Sequence, residues 1–190
     1  LAKMIADVLD KNNHITIPGF YDDVLEVTPE ERAKMAEAPF DLEAYKQSLD
    51  IAKEWGEAGF STNERTGIRP TFDICGIWGG YTGEGSKTVL PSKAYAKLSC
   101  RLVAHQDHEK ISQMFVDYFA SLAPDCVKVK ITPMHGGQGY VCPITLPAYK
   151  AAEAGFEKAF GKKPLAVRRG GSIPIISDFE KILGVKTILM

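Results

Sequence analysis

Long apolar runs are absent from this chain of 190 residues, and with them any segment able to cross a bilayer as a helix. No signal-peptide pattern opens it. Strong charge of one sign is missing too. The formal net charge of -1 gives no global reason to expect nucleic acid as a partner, so neither membrane nor nucleic acid is expected. Cysteine is sparse: Cys75, Cys100, Cys126 and Cys142 stand far apart with no Cys-x-x-Cys pair. That spacing argues against a zinc ribbon or a thioredoxin-like site. The four read as reduced, mostly packed thiols, as expected of a cytoplasmic protein. Histidine is scarce as well. His105 and His108 are close enough for a metal clip, but they straddle a strand-to-helix turn with only Asp107 or Glu109 near enough to join them. Solvated turn histidines are the expectation. His14 reads as a loop residue, His135 before two glycines suits a local backbone hydrogen bond as well as a catalytic role, and no nucleophile–base pairing emerges.

What is present begins with an apolar stripe. Leu1, Met4, Ile5, Val8 and Leu9 recur at helical spacing. No N-cap residue precedes them, so the chain is expected to start inside an amphipathic helix. GVKTILM at the other end reads as a buried strand after a helix-ending Gly184, with no following turn. Both ends are therefore expected to be cuts through a larger fold. Residues 10 to 70 look like a helical excursion. Thr28 caps a short helix with Pro29 in its first turn, and Asp41 caps another that runs toward Gly56. The excursion closes in an apparent polar loop, STNERTGIRP.

A sheet-like region follows. TFDICGIWGG reads as one strand and AYAKLSCRLVA as a second, with Leu98, Cys100 and Leu102 on one face and Lys97, Ser99 and Arg101 on the other. Asp107 caps a helix striped by Ile111, Met114, Phe115, Tyr118, Phe119 and Leu122. VKVKI alternates again, with Val127, Val129 and Ile131 expected inward and Lys128 and Lys130 outward. The order predicts an α+β fold: a ferredoxin-like split βαβ unit, with an antiparallel sheet carrying helices on one face. After MHGGQGYVCP the pattern changes to αβαβ, with PLAVRR and VKTILM as strands. This portion cannot close a core alone and reads as an incomplete α/β slice. The expected division is residues 1–132, lacking a first strand, and residues 133–190.

GGYTGEGSKT is not a phosphate loop. Ser86 separates Gly85 from Lys87, and VLPSK follows where a helix is required. The strongest chemical feature is VRRGGSIPI. Its glycines permit close backbone approach, Ser172 can cap the next helix, and Arg168 or Arg169 can make a bidentate contact. Together they form a candidate carboxylate cradle; a capped helix with a solvated arginine pair is the alternative. Arg101 is the second candidate, on a basic sheet face that matters if it overlooks a cleft.

Three strings, GSKTVLPSKAYAKLSCRLVA, MHGGQGYVCP and RRGGSIPI, occur in this order in carnosinase-like cytosolic dipeptidases, and the chain resembles that branch of the aminoacylase/carnosinase metallopeptidases over nearly its whole length. The excursion before residue 70 is typical of the dipeptidase branch and longer than in related deacylases. The resemblance implies an α/β catalytic domain with two divalent metals, most often zinc, and an inserted lid that forms a homodimer. It makes residues 1–132 the lid and the rest part of the catalytic domain. It implies that Thr88 reaches the neighbouring subunit's substrate, that Arg101, Arg168, Gly171 and Ser172 bind substrate, and that the chain holds a dipeptide's C-terminal carboxylate while its lid stabilises the developing oxyanion. The metal ligands and the general base of the resembled family are not matched in this chain, so no catalytic or metal residue is expected within it, and alone it is expected to be inactive. The rival expectation is a non-catalytic dimerisation or peptide-binding module, and a related N-acyl amino acid deacylase is the alternative enzyme.

Overall fold

In the computed structural model, residues 1–169 and 173–189 are described, so Gly171 and Ser172 of the predicted cradle lie outside the described residues. Four of the described helices begin where a short polar side chain takes up orphan backbone N–H groups; the first and the last two have no such cap. Helix α1 (Ala2–Ala6) buries Met4 and Ile5. It stops earlier than the stripe predicts, because Asp10 Oδ1 accepts from the backbone N–H groups of Asn12 and His14 and turns the chain. Leu9 then bridges Ile15 in antiparallel fashion, yet Val8 remains fully buried. Helix α2 (Pro29–Ala36) is capped by Thr28, and α3 (Leu42–Leu49) by Asp41. Helix α3 ends at Asp50 in the left-handed region, φ 53°, rather than near Gly56.

The expected polar loop after Phe60 is a helix. Ser61 accepts from the Glu64 N–H and Glu64 returns a bond to the Ser61 N–H, a capping box that starts α4 (Thr62–Gly67). Ser61→Ala is expected to destabilise the fold by about 1 kcal/mol, measured by denaturant melts.

Strand β1 (Thr71–Gly79) pairs antiparallel with β2 (Ala94–Arg101), with a bulge at Cys75 between Ile74 and Gly76. Phe72 faces Cys100 and Ile74 faces Leu98 in the register. Ala96, Leu98, Cys100 and Leu102 pack on the core as the alternation predicts. That core gathers Met4, Ile5, Val8, Ile15, Ile17 and Phe20 with Ile111 and Phe119 of α5 (His108–Ser121). Asp107 caps α5 by accepting from two backbone N–H groups. Fully buried Gln106 fixes the turn before it, donating to the Phe20 carbonyl and accepting from the Val103 N–H.

The remaining predicted strands do not form ladders among the described residues; β1–β2 is the sheet they contain. Val127 and Val129, expected inward, are 49% and 39% exposed, while Ile131 packs on the core. PLAVRR and the described part of VKTILM likewise stay outside any ladder. A strand needs a neighbour's N–H and C=O groups, and alternation alone supplies none. Helices α6 (Pro147–Phe160) and α7 (Ile175–Leu183) form as predicted and stop at left-handed Gly161 and Gly184. Phe160 and Ile182 on them remain 72% and 75% exposed. No helix among the described residues is long and apolar enough to cross a membrane.

Candidate functional site

The outward face of the hairpin is mixed rather than simply basic. Asp73 lies opposite Ser99, and Gly76 opposite Lys97. Thr71 donates to Asp73, and Cys75 Sγ sits 3.2 Å from Ser99 Oγ. Trp78 and Tyr95 stack at 5.3 Å near the far end. Arg101 closes β2 opposite Thr71 and is exposed. Thr88 is also exposed, in the segment joining the strands, where Lys87 lies 4.7 Å over the Tyr81 ring. No helix follows Lys87, so the glycine-rich string is a hairpin loop as read from sequence.

An open cleft of about 3410 Å³ runs between the excursion, the hairpin and the C-terminal segments. Arg101, Arg168 and Arg169 line it, together with Lys128 and Lys130; Thr88 does not. Arg101 and Arg168, two of the predicted grip residues, line this wide cleft at separate points of the chain, whereas Thr88 lies in the segment joining the strands. Glycines shape the cleft's edge. Added Cβ atoms would lie 2.8 Å from His108 Nδ1 at Gly136, 2.6 Å from Pro174 Cβ at Gly137 and 2.7 Å from the Val103 carbonyl at Gly139. The MHGGQGY string therefore lies flush against the turn before α5 and the start of α7, as close as a chain without side chains allows.

Arg168 is held from the other side. Its Nη2 donates to Glu31 Oε1 at 2.7 Å. Gly67, the last residue of α4, comes so near that a Cβ there would lie 2.3 Å from the Arg168 carbonyl oxygen.

One cluster escaped the sequence reading. Arg69 makes a bidentate contact with Glu57, both bonds 2.7 Å, and their side chains are 8% and 10% exposed. Its guanidinium lies over Tyr21 and Phe60 at 4.8 and 4.4 Å. His14, read as an ordinary loop residue, stacks on Tyr21 at 4.0 Å and bonds Glu57 at 2.8 Å. Asn13 donates to the Gly56 carbonyl and Ala58 to the Asn12 carbonyl. Arg32 pairs with Glu64 beside them. These contacts dock the excursion onto the loop after α1. The signal available in sequence was the unusual run of Glu57, Arg65 and Arg69 beside Phe60, without a partner to name.

The cysteines divide. Burial, with a smaller push from Asp73, raises the Cys100 thiol to about 12, so it stays protonated at neutral pH. Cys75 and Cys126 are exposed, against the expectation that most are packed. Among the described residues no three or more His, Cys, Asp or Glu side chains group to hold a metal.

Residues 1–126 match the family described as peptidase dimerisation domain. The chain belongs to that family. Its peptidase-dimerisation region covers α1 to α5, the hairpin and the excursion between them. The whole chain is 29% identical, over 198 residues, to the Beta-Ala-His dipeptidase of Homo sapiens and covers 38% of that protein. It is 28% identical over 194 residues to the Cys-Gly metallodipeptidase dug1 of Schizosaccharomyces pombe, covering 40% of it. Among solved structures, the M20 family metallo-carboxypeptidase Sso-CP2 from Sulfolobus solfataricus superposes with a TM-score of 0.85 at 29% identity, over 97% of this chain and 47% of that one. Human carnosine dipeptidase 1 follows at 0.79 and 26% identity, over 97% of this chain and 40% of that one. The chain thus spans about two-fifths of the curated relatives it matches.

Proposed function

We propose that this chain is the lid and part of the catalytic domain of a metal-dependent dipeptidase that works as a homodimer. Residues 1–132 are the lid and residues 133–190 the catalytic portion in this reading. The observation that supports it is an open cleft lined by Arg101 and by Arg168 and Arg169, of which one or the other takes substrate in this reading, in a chain alike over its full length to dipeptidases. Cations on a strand end and next to the glycine pair in the sequence can take a substrate's C-terminal carboxylate by charge-assisted hydrogen bonds. Holding that end positions the scissile bond, and Arg101 faces charge that develops on its oxygen. Gly171 and Ser172 complete the cradle, and Thr88 serves the neighbouring subunit's substrate. The parent enzyme uses two divalent ions, zinc in this proposal, and works in the cytoplasm. The donor set of the described residues does not fit that centre; the proposal assigns its ligands to chain outside these 190 residues.

The test uses the parent protein and this chain side by side. The parent is expected to hydrolyse unblocked dipeptides and to carry zinc, whereas the 190-residue chain is expected to show neither turnover nor stoichiometric zinc by elemental analysis. One or two tightly held zinc ions per 190-residue chain would overturn the assignment of the ligands elsewhere. A parent inactive on dipeptides but dimeric would favour a non-catalytic module.

A further inference from the structure

Arg168 and Arg169 stand side by side before the cradle, and nothing in their order says which one meets substrate. The structure separates them. Arg168 gives its charge to Glu31 at 2.7 Å with a side chain only 20% exposed, and its backbone is pressed against Gly67. Its guanidinium is tied to α2, and its carbonyl packs against the end of α4. Turning that fork toward a ligand would strip Glu31 of its partner. Arg169 is exposed, lines the same cleft as Arg101, and makes no ion pair or hydrogen bond among the described residues. Among the described residues of this segment, its charge is the one still available.

We propose that Arg169 is a substrate-binding residue that takes a carboxylate of the substrate, while Arg168 ties its segment to the excursion. This rests on the dipeptidase reading and deepens it. The carboxylate is either the substrate's terminal one or an acidic side chain on its second residue. The guanidinium fork suits both, since two parallel N–H bonds match either carboxylate.

The experiment measures kcat and KM of the full-length parent enzyme, Arg169→Gln, Arg169→Lys and Arg168→Gln on Ala-Ala, Ala-Glu and Ala-Ala amide. Arg169→Gln is expected to raise KM about 10- to 100-fold with kcat nearly unchanged, the loss of a charged hydrogen-bonded contact made equally in ground and transition states. Arg169→Lys should recover part of that loss by restoring the charge without the fork. An effect on Ala-Ala and Ala-Glu that is absent from the amide assigns the terminal carboxylate; an effect confined to Ala-Glu assigns the side chain. Arg168→Gln is expected to lower Tm and leave KM within about threefold, well short of the tenfold step a lost charged contact brings. KM unchanged by Arg169→Gln on all three substrates in an otherwise active enzyme would overturn the proposal. So would a large KM effect in Arg168→Gln alone. A wild-type parent that cleaves none of the three would instead remove the dipeptidase reading itself.

Discussion

Alanine at Arg69 is expected to destabilise the protein by about 3 kcal/mol, the cost of leaving a nearly buried partner charge uncompensated. For a chain of this size that corresponds to a fall of about 6–12 °C in Tm. The two bonds to Glu57 are parallel and 2.7 Å long, and both side chains are at most one-tenth exposed. Without Arg69, the Glu57 carboxylate keeps His14 and loses both fork bonds, and the Tyr21 and Phe60 faces lose the cation packed between them. A loss below about 1 kcal/mol, the range of an exposed surface pair, would show that the cluster does not hold the excursion in place.

Acid should act on the same cluster. Burial pushes the Glu57 carboxyl up, but its bonds to Arg69 and His14 outweigh that and hold it below its ordinary value of 4.5. A carboxyl depressed on folding adds stability that is present above the unfolded value and disappears as pH falls through the folded one. Melting curves across the acid range should therefore lose this contribution below about pH 4, since free Glu titrates near 4.3. In Arg69→Ala that part of the acid limb should flatten. An unchanged limb in the variant would assign the acid sensitivity to other carboxylates.

The second large effect concerns turnover. Under the proposed dipeptidase reading, Arg101→Ala in the parent protein is expected to lower kcat/KM by about 100- to 1000-fold, the scale for removing one preorganised group placed to face developing charge. Metal content should stay at the wild-type level, because Arg101 carries no ligand atom suited to a metal. It closes β2 in register with Thr71 on the cleft's edge, so its backbone position is set by the ladder and survives the truncation. A kcat/KM near wild type would take Arg101 out of the site.

Legibility from sequence followed the range of the interactions. Thr28, Asp41 and Asp107 cap their helices as read, because a cap joins residues two or three positions apart. The β2 alternation placed Leu98 and Cys100 against the core and Lys97 and Ser99 outward for the same local reason. The Ser61–Glu64 capping box was equally local and equally readable, but the polar run around it masked it. VKVKI and PLAVRR alternate as strands do, yet form no ladder among the described residues, since pairing depends on a partner that the segment does not contain.

The sequence by itself determined the capped starts of α2, α3 and α5, the inward face of β2 and the rejection of a phosphate loop, and it named the residues proposed for a carboxylate grip. Tertiary structure alone decided the rest. It joined His14 to Glu57 across 43 positions and put Arg69 over Tyr21, because buried charge must find its partner wherever the chain brings one. It also divided two adjacent arginines, giving Arg168 to Glu31 and leaving Arg169 exposed on the cleft. Neighbours in sequence share composition and propensity; which of them meets an acid is set by the packing of the excursion against the segment they lie on.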